Sequence, residues 1–181
     1  RRRQRQMCIR DRNLSDNPSK IDGLKNIVEV TSGENHYAAL DSKGKVWVWG
    51  YNRYGQLSQG NTTNVGTPTT VKTQDTEGTS YQDLENIVEI QAGENTLQML
   101  SSTGEIYISG YNGYGQLGLG DNSNRYRPTQ INIENVVDIA AGNNHALLVT
   151  ADGKVYSFGS NSYGQLGRTG TVSYTHLTLP T

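Results

Sequence analysis

One short frame is spelled three times: YNRYGQL at 51–57, YNGYGQL at 111–117 and SNSYGQL at 160–166. It closes three longer copies that run in register. The first, NIVEVTSGENHYAALDSKGKVWVWGYNRYGQLSQG, spans Asn26 to Gly60. The second, NIVEIQAGENTLQMLSSTGEIYISGYNGYGQLGLG, spans Asn86 to Gly120. The third, NVVDIAAGNNHALLVTADGKVYSFGSNSYGQLGRTG, spans Asn135 to Gly170. Gly33, Gly93 and Gly142 correspond, at separations of 60 and 49 residues, and the 11 extra residues fall around Lys72–Asp83. Self-similarity at a period near 50 points to a stack of supersecondary units, a solenoid or a propeller.

The two ends do not share the pattern. Residues 2–12, RRQRQMCIRDR, can be encoded by a DNA string whose reverse complement encodes VSYTHLTLPT, residues 172–181. One DNA tag attached in opposite orientation to both ends of a fragment explains both segments. Residues 1–12 and 171–181 are therefore set aside from fold reasoning. Six of the 16 basic residues (Arg1, Arg2, Arg3, Arg5, Arg10 and Arg12) and one of the 17 acidic residues (Asp11) go with them. What remains has 10 basic and 16 acidic residues, a net charge of −6. No direct nucleic-acid binding is expected of such a surface. The single cysteine, Cys8, also lies in the first tag, so the rest of the chain offers neither a disulfide nor a cysteine zinc site. No apolar run approaches the length of a membrane helix.

With 21 glycines in 181 residues and few helix-forming runs, the composition favours short strands and turns. Each copy reads as four strands. The first (NIVEV, NIVEI, NVVDI) alternates, placing Val28/Val30, Val88/Ile90 and Val137/Ile139 on one face and Glu29, Glu89 and Asp138 on the other. The second is HYAAL, TLQML or HALLV, and the third KVWVW, EIYIS or KVYSF. Tight SKGK, STGE and ADGK hairpins join them. A short fourth strand follows a proline, PTTV at 68–71 and PTQI at 128–131, where a missing N–H is tolerated. PSKI at 18–21 fits the same slot, as the tail of a truncated preceding copy. The expected organisation is thus a tail at 13–23, a blade at 24–71, an inserted loop at 72–83, a blade at 84–131 and an incomplete blade at 132–170.

The SG/AG-x-N-H step into the second strand, the DG-type hairpin, the Trp-Gly or Phe-Gly strand end and Asn-x-Tyr-Gly-Gln-Leu-Gly-x-Gly together resemble the repeat of the regulator of chromosome condensation family. The resemblance covers 13–170. It implies an all-β fold: a β-propeller, seven-bladed in that family, of which this chain carries about three four-stranded antiparallel blades side by side. A kelch propeller has a similar period, but its Gly-Gly pair is missing. The second copy departs at Thr96, where the others have His36 and His145, and at Ser109, where they have Trp49 and Phe158. Ser58 stands where the later copies have Gly118 and Gly167. These departures read as drift between blades.

The frame itself reads as scaffold rather than ligand box. Gly55, Gly115 and Gly164 permit a turn closed to other residues. Asn52, Asn112 and Asn161 can hydrogen-bond their own turn. Tyr54, Tyr114 and Tyr163, with Leu57, Leu117 and Leu166, form the apolar plug, and Gln56, Gln116 and Gln165 complete the frame. Strand parity sends the SGEN, AGEN and AGNN turns and the three YGQL loops to one face. It sends the insertion to the other, where Asp75, Glu77, Tyr81 and Asp83 form the candidate contact surface. His36 and His145 recur at the repeat period, as a structural hydrogen bond would and a catalytic pair would not. No nucleophile, base and orienting group can be assembled. GDNSN at 120–124 lacks the ligand pattern of a calcium loop. No catalytic residue, metal or cofactor is therefore expected. The expectation is a binding or scaffold propeller that recognises a protein or surface polymer, in a setting that suits an exported bacterial protein. The resemblance implies as alternative a guanine-nucleotide exchange factor for a small GTPase with chromatin association, but no exchange motif is present.

Overall fold

The computed structural model describes residues 17–74 and 80–168, and every regular element among them is a strand. Both tag-like segments lie outside those residues. β1 (Ile27–Ser32), β2 (His36–Asp41), β3 (Val46–Gly50) and β4 (Val65–Thr70) form one antiparallel sheet in sequence order. β5 (Lys72–Gln74) pairs with β6 (Tyr81–Asp83) as a separate hairpin. β7 (Ile87–Ala92), β8 (Thr96–Ser101), β9 (Ile106–Gly110) and β10 (Arg125–Ile131) form the second sheet, and β11 (Val136–Ala141), β12 (His145–Thr150) and β13 (Val155–Gly159) the third. Residues 72–74 and 81–83, expected from the sequence to be loop, are instead short strands in register, with Lys72 opposite Asp83 and Gln74 opposite Tyr81. Pro18–Ile21 lies outside any strand.

The sheets stack face to face, and the core sits between them in two slabs. Ala38, Leu40, Val46, Val48 and Leu57 of the first blade meet Ile87, Ile90, Leu97 and Met99 of the second. Ile106, Ile108, Leu117 and Ile131 of the second meet Val136, Ile139, Ala146, Leu148 and Phe158 of the third. Each buried Leu, Ile or Val contributes about 1.5–3 kcal/mol. No blade has a core of its own, so the copies stabilise one another only as neighbours.

Strict alternation fails in the first strand of every blade. The register slips between Ile27 and Glu29, Ile87 and Glu89, and Val136 and Asp138. Each slip is a bulge that leaves one residue unpaired and turned away. Val28, Val88 and Val137 are consequently 65%, 53% and 55% exposed, while Ile87, Ile90, Val136 and Ile139 are buried. Val30 takes the slot of Ile90 and Ile139 but remains exposed, because no blade covers that side of the first sheet among the described residues. The fourth strands also begin earlier than the prolines suggest. In β4 the pairing jumps from Thr69 opposite Val48 to Val65 opposite Gly50, and Pro68 falls in the gap on an outer strand. Pro128 falls in the matching gap of β10.

Two of the departures in the repeat prove to be one. The hydroxyls of Ser58, in the first blade, and Ser109, in the second, hydrogen-bond across the junction. At the next junction a Cβ on Gly118 would sit 3.0 Å from the Phe158 ring. A bulky third-strand residue thus requires glycine on the preceding blade, and a small one admits serine, even at the left-handed φ of 57° that Ser58 adopts. Ser109→Phe alone should overpack the junction and destabilise by about 1–3 kcal/mol. Adding Ser58→Gly should recover most of that loss in a double-mutant cycle read by chemical denaturation. Additive effects would show that the two sites are independent. Leu117, fully buried at the centre of the second slab, should cost about 2–5 kcal/mol when truncated to Ala. A loss near zero would mean the loop does not anchor the blades.

Candidate interaction surface

The YGQL loop is a closed hydrogen-bonded unit. Leu57 N–H donates to Asn52 Oδ1 at 2.9 Å, and Asn52 Nδ2 donates to the carbonyls of Asn61 and Thr63, both at 3.0 Å. Asn52 is fully buried, so these bonds replace the water its amide would lose. Asn112 and Asn161 repeat the bond to Leu117 N–H at 2.9 Å and Leu166 N–H at 3.0 Å. Gly55 has φ 83°, and a Cβ there would meet Tyr126 Cα at 2.6 Å, so both conformation and space demand glycine. Gly115 and Gly164 repeat the positive φ.

The glutamine does more than complete the frame. Gln56 Oε1 accepts from Tyr54 N–H at 3.0 Å, while its Nε2 reaches Asn95 Oδ1 of the next blade at 3.1 Å. Gln116 does the same with Tyr114 N–H at 2.9 Å and Asn144 Oδ1 at 3.0 Å. Gln165 accepts from Tyr163 N–H at 2.8 Å and turns its amide to Ser160. The first two loops are thereby latched onto the first turn of the following blade. The expected shared face is present: the turns are themselves zipped, Glu34 N–H to the Glu94 carbonyl and Glu94 N–H to the Asn143 carbonyl, both at 3.1 Å. They line a cavity of about 470 Å³ walled by Ser32–Glu34, Ala92–Glu94 and Ala141–Asn143.

Leu57, Leu117 and Leu166 are buried as the plug requires, but the tyrosines are not part of it. Tyr114 is 48% exposed and Tyr163 93% exposed. Half-buried Tyr54 instead joins a surface row. Its ring lies 6.3 Å from Tyr51 and 4.9 Å from Tyr111, and Tyr111 lies 6.0 Å from Tyr114, in edge or tilted contacts favourable for aromatic pairs. This ladder crosses the first blade junction. The sequence signal was Tyr51 and Tyr111 opening two of the three frames, a detail without strand periodicity.

The hairpin face uses its side chains internally. Tyr81 carries the Arg127 guanidinium 3.8 Å above its ring. Asp83 accepts from Lys45 Nζ and from Thr70 Oγ1, each at 2.8 Å, and these bonds hold its carboxyl below the usual range. Asp75 and Glu77 lie outside the described residues. No group of acids, histidines or cysteines suited to a metal occurs among the described residues.

His36 is wholly buried. Its ring covers Gly33, where a Cβ would stand 2.1 Å from the imidazole carbon; His145 covers Gly142 in the same way. His36 Nε2 donates to the Thr96 carbonyl of the second blade at 3.2 Å, and Nδ1 has no partner. Burial pushes its pKa down to about 4, against the stabilising backbone bond. The unfolded chain takes up this proton near pH 6.5 and the folded chain only near 4. The stabilisation is therefore complete above pH 6.5 and lost as pH falls toward 4. Burial raises the Glu29 and Glu89 carboxyls and opposes this trend. His36→Thr, which copies the second blade, leaves those acids in place and should flatten the fall in stability measured by denaturation across that window. An unchanged slope would place the titrating group elsewhere.

Comparison with known proteins agrees with this geometry. Two models of the "Regulator of chromosome condensation (RCC1) repeat" match, one at 43–96, 103–149 and 152–181, the other at 27–56 and 136–165. The human probable E3 ubiquitin-protein ligase HERC4 is 35% identical over 130 residues, 70% of this chain and 11% of that protein. Human Protein RCC2 is 37% identical over 97 residues, 53% of this chain and 17% of that protein. The crystal structure of Prp20p from Saccharomyces cerevisiae, described with its binding to Gsp1p and histones, superposes with a TM-score of 0.68 at 25% identity, covering 82% of this chain and 34% of that one. Yeast RCC1 (Prp20) bound to Kap60 gives 0.65 at 28% identity, over 80% and 32% of the two chains. The chain thus spans about a third of the solved relatives and less than a fifth of the curated ones. Its sheets are propeller blades, and the chain belongs to the regulator of chromosome condensation (RCC1) repeat family.

Proposed function

We propose that this chain is a non-catalytic binding segment of a propeller and that it recognises a protein on the face carrying the YGQL loops. The observation that supports this reading is the tyrosine ladder: four rings, Tyr51, Tyr54, Tyr111 and Tyr114, packed on one another outside either core slab. Tyrosines offer large, stiff contact area with a polar tip, the composition of binding hot spots. A scaffold needs no such row, since the plug is made by the leucines alone. The likeness to Prp20p, a protein that binds Gsp1p and histones, favours a second reading, guanine-nucleotide exchange on a small GTPase with chromatin association. The acid excess of residues 13–170 weighs against contact with nucleic acid.

Selection of a random displayed-peptide library on the whole chain tests the first reading. Enriched peptides should lose binding to a Tyr54→Ala/Tyr114→Ala variant and keep it to a Gln82→Ala variant on the hairpin. The reverse pattern would move the site to the hairpin. Ligands found only on a polysaccharide array would make the partner a surface polymer. Accelerated release of labelled guanine nucleotide from a small GTPase would establish the second reading in place of the first.

A further inference from the structure

We propose that the ladder face binds an extended, proline-containing segment through two arginines three residues apart, each held between a tyrosine ring and the glutamate of one blade. This rests on the protein-binding reading above and names the chemistry of the partner.

The placement comes from two backbone bonds. Tyr51 N–H donates to the Asn35 carbonyl at 2.8 Å, and Tyr111 N–H to the Asn95 carbonyl at 2.9 Å. The backbones of Tyr51 and Tyr111 are thereby fixed beside the turns that carry Glu34 and Glu94. The third blade makes the same bond, Ser160 N–H to the Asn144 carbonyl at 2.8 Å. There, serine stands in place of the tyrosine and Asn143 in place of the glutamate. That backbone bond therefore needs neither side chain. Aromatic ring and carboxylate are present together in two blades and absent together in the third, which marks out a bounded patch of paired chemistry. Glu34 is exposed, and Glu94 is partly exposed, accepting from Asn144 Nδ2 at 3.0 Å. The ion pairs found among the described residues leave both out.

A planar cation suits such a pair. A guanidinium can lie on a tyrosine face and keep its edge N–H groups for a carboxylate, which an ammonium does less well. The molecule already uses this stacking, with Arg127 over Tyr81 at 3.8 Å. Spacing then fixes the backbone. Steps of 6.3 Å and 4.9 Å between centroids put the Tyr51 and Tyr111 rings within about 11 Å of each other. A polyproline II segment returns to the same face every third residue, about 9 Å further on. It is also pre-ordered, so it loses little entropy on docking along aromatic rings.

The test is fluorescence anisotropy of a labelled peptide with repeated Arg-Pro-Pro units, titrated with the full chain at low salt. Saturable binding is expected, weakened at least about tenfold by Tyr111→Ala and by Glu94→Gln, as for hot-spot residues. Exposed Glu34→Gln, which cannot disturb folding through the core, should weaken it as well, and so should lysine for arginine in the peptide. Absence of saturable binding, or equal affinity in all three variants, would overturn the proposal. Library peptides that need Tyr54 and Tyr114 but carry no arginine would overturn it while leaving the protein-binding reading standing. Library peptides that ignore the ladder would remove both.

Discussion

The innermost strand of each blade has one edge that no strand pairs, and the architecture depends on how that edge is satisfied. Buried N–H groups without acceptors would cost more than a blade contact returns. The preceding blade supplies the acceptors. Glu29 Oε1 accepts from Ile90 N–H at 3.3 Å, and Thr31 Oγ1 accepts from Ala92 N–H at 3.1 Å. At one end of the same edge the Gly44 carbonyl takes Ile87 N–H at 3.1 Å, and the Gly104 carbonyl takes Val136 N–H at 3.1 Å. At the other end the Glu34 and Glu94 turns continue the zip. The repeat period is therefore a hydrogen-bonding requirement as much as a hydrophobic one: each copy carries the acceptors its successor lacks.

This requirement explains the acids along the inner strands. Glu29, Glu89 and Asp138 occupy one slot in three copies, and three carboxylates in register repel one another. Burial raises the Glu89 carboxyl, and the Asp138 and Glu29 charges push it further up. Such a column persists because the first two acids meet backbone donors of the next blade, Ile90 for Glu29 and Ile139 for Glu89, while Asp138 accepts from the N–H of its own neighbour Ile139. The bulge serves the same end. By turning Val28, Val88 and Val137 outward, it lets the flanking Ile and Val residues face the slab while the acid stays at the edge.

Blade number, strand order and leucine plugs were legible because they repeat and because each obeys one local rule. The rest was not, for identifiable reasons. A bulge leaves no mark in a hydrophobic pattern when the extruded residue is itself valine. Tyr54 and Tyr114 read as core by residue type, yet Leu57 and Leu117 already fill the space. Residues 72–74 and 81–83 are too short for periodicity to reveal a strand. Ser58 and Ser109 stand 51 residues apart, and only the blade junction shows that they exchange size with each other.

The candidate site follows from separating what every copy keeps from what only some keep. The asparagine-to-leucine and glutamine-to-tyrosine bonds of the frame recur in each blade, while the last glutamine turns its amide back to Ser160 and the last asparagine donates to the Arg168 carbonyl. A residue that recurs with its bonds is explained by folding alone. Tyr51, Tyr111, Glu34 and Glu94 recur in two copies without contributing to either slab, and the third copy folds around Ser160 and Asn143 with the same backbone bonds. Neither slab accounts for them, although Glu94 also accepts from Asn144 Nδ2 of the third blade at 3.0 Å. In a repeat protein, where neighbouring copies supply the control for one another, such surplus chemistry is the part of the sequence left for a partner to read.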